Sequence, residues 1–73
     1  MTPDALKNLV YAAPFRAFTI HTEDGRSVPV PHPDFISISP TGRAAVVHTD
    51  GEKFEIIQVS QIAEATIEKG SKA

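Results

Sequence analysis

The sequence predicts a small, mainly β domain of the α+β class: one N-terminal helix, then a strongly bent, five-stranded antiparallel meander that curls into a partly open barrel. Three observations carry this reading. Apolar and polar residues alternate over much of the stretch from Phe18 to Ile56. Three short loops in that stretch end in glycine: Glu23-Asp24-Gly25, Pro40-Thr41-Gly42 and Thr49-Asp50-Gly51. Ahead of them, Leu6, Leu9, Val10 and Ala13 fall at helical spacing. A three-residue loop ending in glycine is a type I turn closed by a left-handed residue, which glycine adopts without a Cβ clash.

Such loops set the strand register. The opposed pairs become Ile20 with Val28, Phe18 with Val30, Ile38 with Ala44, Ile36 with Val46, Val46 with Phe54, and Ala44 with Ile56, and every pair is apolar. A two-residue Asp-Gly turn in the first hairpin would instead set Val28 against His21 and Ile20 against Pro29, because a one-residue slip exchanges the faces. At Asp50-Gly51 the margin is smaller, since the slipped register still pairs Val47 with Phe54.

Taken in order, Thr2-Pro3-Asp4 reads as a helix start, with a hydroxyl N-cap, proline at the first helical position and an acid facing the helix dipole. Pro14 closes the helix by disfavouring helical geometry at Ala13. The first strand runs from Phe18 to Thr22 and the second from Arg26 to Val30. Pro29 and Pro31 share one parity, so the missing N–H groups line one side and mark an edge or a sharp bend. Pro31-His32-Pro33-Asp34 turns the corner into the third strand, Phe35 to Ser39, with Ile36 and Ile38 inward. Ala44 to His48 and Phe54 to Val59 follow. Ser60-Gln61-Ile62 makes a short turn, and Ala63 to Glu68 a sixth short segment. Residues 1–68 form a single domain, and 69–73 read as a flexible polar tail.

Bulk properties narrow the function classes. Nine acidic against seven basic residues give a net charge of -2, which argues against strong non-specific attraction to phosphate backbones. With no cysteine there is neither a disulfide staple nor a zinc-finger cluster, so a chain of 73 residues must pack well or extend its core through a partner subunit. The first residues show no basic segment followed by an apolar run, and no stretch nears the ~20 apolar residues of a membrane span. The expectation is a cytoplasmic protein of bacterial type, with no cofactor and no small-molecule substrate.

Two resemblances add to this. A helix, a strongly bent meander, a one-turn connection and a last strand together resemble the small-barrel plan of Sm-like proteins; the Arg-Gly turn that Sm proteins often carry before the last strand is missing. A flat helix-plus-sheet domain is the structural alternative. The pattern Pro14-Phe15-Arg16-x-Phe18-x-Ile20, Asp24-Gly25-Arg26, His32-Pro33-Asp34-Phe35 and Ser39-Pro40-x-Gly42-Arg43 is similar to a group of short bacterial proteins of uncharacterised activity. That likeness implies no functional residues.

Few constellations carry chemistry. His21 has outward parity, His32 sits in the proline corner and His48 has core parity, so the three histidines do not converge as zinc requires. Asp34 and His48 come out opposite each other, within reach of one hydrogen bond. His32-Pro33-Asp34 spells the tripeptide of J-domain co-chaperones, but there it joins two helices and here two strands. Ser37 and Ser39 lie outward on a regular strand with no strand-turn-helix elbow, so no catalytic residue and no enzyme activity is assigned. Arg16, Arg26 and Arg43 are candidate phosphate contacts for an RNA-binding reading, with Tyr11 and Phe35 as the exposed rings and a cross-strand pair with Glu55 as the plain alternative for Arg43. The second face says more: Phe35, Val47, Ile57 and Val59 fall where a one-faced sheet should be polar. They mark either a self-association contact or a layer covered by the helix or the last strand of the same chain. On the first reading, Val47→Asp disrupts assembly and leaves the monomer folded.

Overall fold

A computed structural model describes residues 1–68; the tail expected at 69–73 lies outside the described residues. One helix, α1 (Pro3–Val10), precedes six strands: β1 (Phe18–Thr22), β2 (Ser27–Val30), β3 (Ile36–Ile38), β4 (Ala44–His48), β5 (Phe54–Gln58) and β6 (Ile62–Ile67). They form two three-stranded antiparallel sheets, in the orders β2-β1-β6 and β3-β4-β5. The chain is therefore mainly β. It differs from a continuous five-stranded meander in that β2 and β3 do not pair, and the sixth strand completes the first sheet.

The proline corner explains the break. Pro29, Pro31 and Pro33 remove N–H groups between β2 and β3, and a one-turn 3₁₀ helix (Pro33–Phe35) fills the corner. A second such turn (Val59–Gln61) links β5 to β6. The helix starts where its cap signals placed it, with the Thr2 hydroxyl accepting from the Ala5 N–H at 3.1 Å. It ends early, at Val10, with Tyr11 as C-cap and Ala13 exposed beyond it. The Ala13–Pro14 peptide bond is cis.

The first hairpin has the predicted register, Phe18 opposite Val30 and Ile20 opposite Val28. Its loop is closed by Thr22 N–H to the Arg26 carbonyl at 2.9 Å, and Gly25 sits at φ +94°. The second hairpin slips by one residue. Ile36 faces Val47 and Ile38 faces Ala45, not Val46 and Ala44. Its loop holds four residues, because Ser39 N–H donates to the Ala44 carbonyl at 2.8 Å, and the Ala44 N–H in turn donates to the Ser39 hydroxyl at 3.2 Å. The third hairpin keeps a three-residue loop, but the loop is Asp50-Gly51-Glu52, closed by the Thr49 N–H to the Lys53 carbonyl at 3.0 Å, so the register shifts by two: His48 faces Phe54 and Val46 faces Ile56.

One core results. Phe18, Ile20, Val28 and Val30 from the first sheet meet Ile36, Ala45, Val47 and Ile57 from the second, with Leu6 and Val10 of α1 and with Val59 and Ile62. Burying each such aliphatic or aromatic side chain contributes about 1.5–3 kcal/mol. The helix, which at this length is marginal alone, is held by that contribution.

Candidate functional site

The one-residue slip moves the association surface. Val47 and Ile57 are 0% exposed and Val59 1%, so three of the four residues expected at a contact are core residues of the single chain. Phe35 alone remains partly exposed, in the 3₁₀ corner. The physical reason is the period of two: one extra residue in the loop before Ala44 turns the odd positions of β4 inward and the even ones out. Val47→Asp would thus place a charge in the core and unfold the chain, not release a folded monomer.

What faces out is the complementary set. Ser37, Val46 and Ile56 form one row across the outer face of the second sheet, and His48 and Phe54 another, their rings 6.3 Å apart. Ile56 is 61% exposed and Phe54 55%, while Val46 is half-buried. The first sheet's outer face is polar by contrast. There His21 bridges the strands, its Nδ1 3.1 Å from the Ser27 hydroxyl and its Nε2 3.0 Å from that of Thr66, with Glu64 opposite it on β6. Of the two solvent-facing sheets, one is therefore dressed for water and the other carries an apolar patch. Phe54 and Ile56 are legible in the sequence as apolar residues, but the predicted register turns them to the core.

The three arginines differ in their surroundings. Arg26 is committed to acids, with Nη1 3.0 Å from Glu55 Oε1 and Nε 3.3 Å from Asp24 Oδ1. This takes the Glu55 partner that Arg43 was expected to use. The Asp24 carboxylate is held below its usual range, first by the Thr22 hydroxyl that donates to it and then by Arg26. Arg43 lines a cleft of about 510 Å³ with Met1, Pro3, Gln58, Val59 and Ser60. Arg16 is exposed in the segment before β1.

The histidines stay apart. His32 sits against Phe35 at 6.2 Å between ring centres, and His48 is exposed on the outer face, not turned to the core, so the hydrogen bond expected with Asp34 is not among the described contacts. Among the described residues no group of three or more His, Asp or Glu side chains is arranged to hold a metal ion. No helix among them is long and apolar enough to cross a membrane. Comparison with protein families, with curated proteins and with solved structures finds no match.

Proposed function

We propose that this chain is a non-enzymatic assembly module that associates with itself through the exposed side of its second sheet, at the strand β5 that carries Phe54 and Ile56. The observation that carries the reading is the exposure of Phe54 and Ile56, two residues apart on one strand face beside Val46. Scattered single apolar residues on a surface are ordinary, but a contiguous cluster on a sheet face is the mark of a contact. The element order supports the same reading: a helix, successive antiparallel hairpins, a one-turn connection and a last strand returning beside the first resemble the Sm-like small barrels, which work as assemblies.

Sedimentation equilibrium tests it. Wild type should weigh more than its 7.9 kDa monomer, and Phe54→Asp should return it to that mass with an unchanged circular dichroism spectrum. A wild type that stays at monomer mass up to about 1 mM, the range of the weakest specific contacts, refutes the proposal.

A second reading, RNA binding, draws on Arg43, which lines a cleft with no acidic residue among the described residues around it. Filter binding across salt distinguishes it, because phosphate contacts weaken as counterion concentration rises. With Arg26 bound to two acids, Arg16 and Arg43 would have to supply those contacts.

A further inference from the structure

Each strand bonds its neighbours with alternate residues, so the hydrogen bonds at the ladder ends show which backbone groups every edge leaves free. In β5 the bonding residues are the odd ones: the Val59 N–H reaches the Arg43 carbonyl at 2.8 Å and the Thr49 N–H reaches the Lys53 carbonyl at 3.0 Å. The N–H and C=O groups of Phe54, Ile56 and Gln58 therefore point away from β4, where no other strand of the described residues pairs. These are also the residues whose side chains face outward.

The other three edges differ. In β2 the free side belongs to Ser27 and Pro29 and is followed by Pro31, so two of its three positions have no N–H to offer, a common protection of edge strands. In β3 only Ile36 and Ile38 face the edge, and the Ile36 N–H is already spent on the Pro33 carbonyl. In β6 the free groups are those of Ala63, Ala65 and Ile67, since the Glu68 N–H bonds the Ala17 carbonyl at 2.9 Å. There Ala65 has core parity, opposite Ile20. A ladder between β5 and β6 of a second copy would set the outer face of one sheet flush with the core face of the next.

We propose that two copies join edge to edge along β5, antiparallel about a twofold axis at Ile56, to make one six-stranded sheet. This rests on the self-association reading above and names its geometry. In that register Ile56 faces Ile56 of the second copy and Phe54 faces Gln58, on both sides of the axis. Three facing pairs with two bonds each use every free backbone group of the strand. The faces agree, outer with outer. No like charges confront each other, because Glu55 comes opposite Ile57 and is neutralised by its own Arg26. A second copy is the occupant that this self-matching edge fits.

The absence of native cysteine allows a direct test with single introduced thiols under mild oxidation. A hydrogen-bonded antiparallel pair holds its Cα atoms ~5.5 Å apart, within disulfide reach. Ile56→Cys should cross-link to itself, and Phe54→Cys mixed with Gln58→Cys should cross-link although neither does alone. Ile56→Pro removes an N–H on the free edge without touching a ladder bond to β4, so it should sediment as a folded monomer. The pairing is overturned if wild type associates while Ile56→Cys stays uncross-linked. It is equally overturned if Ile56→Cys cross-links to Ala65→Cys, or if Val46→Cys is the thiol that self-links, as in face-to-face packing. A monomeric wild type would instead bring down the association reading itself.

Discussion

Replacing Gly42 with alanine should cost the domain far more than the same change at Gly25, although both glycines close hairpin loops with positive φ, +76° and +94°. The left-handed conformation charges each alanine about 1 kcal/mol. At Gly25 none of the described residues lies within 4 Å of the added methyl, so that is the whole effect. At Gly42 the new Cβ would stand 2.8 Å from Pro3 Cβ and 3.3 Å from Pro3 Cγ. A proline ring has no rotamer into which to retreat, and Pro3 is held at the start of α1 by the Thr2 cap. Either the loop before Ala44 shifts or the helix start lifts, and forcing a methyl into a packed contact costs about 1–3 kcal/mol more. The expected loss is then about 2–4 kcal/mol at Gly42, out of roughly 4–11 kcal/mol for a domain of this size. Thermal unfolding followed by circular dichroism reads this as a drop of about 4–8 °C for Gly25→Ala and about 8–32 °C for Gly42→Ala. Pro3→Gly removes the atoms that clash, so it should be milder in the Gly42→Ala background than in wild type, with a coupling of at least about 0.5 kcal/mol. Equal losses at the two glycines, or additive effects with Pro3→Gly, would refute the close approach.

The face assignment predicts opposite outcomes for neighbouring valines. Val47→Asp buries an unpaired carboxylate and should abolish cooperative unfolding, whereas Val46→Asp should keep its near-native circular dichroism and lose up to about 1 kcal/mol in urea titration; a folded Val47→Asp variant would contradict the register. Asp24 gives a pH prediction. Its folded pKa lies below the ordinary 3.8, chiefly through the Thr22 hydroxyl and then Arg26. A depressed carboxylate stabilises the fold above its unfolded pKa and loses that contribution as pH falls through the folded value. Asp24→Asn should therefore flatten the acid limb of the stability profile below about pH 4. By NMR titration, Thr22→Val should move the Asp24 midpoint upward; an unmoved midpoint would show that the hydroxyl does not set it.

Much of this architecture is decided by local chemistry. The Thr2 cap with Pro3 behind it starts the helix, the limits of β1 follow from its alternation, and Gly25, Gly42 and Gly51 all take the positive φ their turns demand. Pro29 and Pro31 make β2 an edge because they have nothing to donate. In the first hairpin only one register leaves Ile20 and Val28 on the same side, so the pairing is written in the residues themselves. The second sheet is different. Ala44-Ala45-Val46-Val47 and Ile56-Ile57 are apolar at both parities, and either face could be turned inward at similar gain. What settles the matter is tertiary: Gly42 is pressed under Pro3, the Ser39 hydroxyl takes up the Ala44 N–H, and Val59 and Ile62 must enter the core as the chain crosses to lie beside β1. The candidate surface inherits that ambiguity, since its residues are whichever half of the apolar set the core leaves outside.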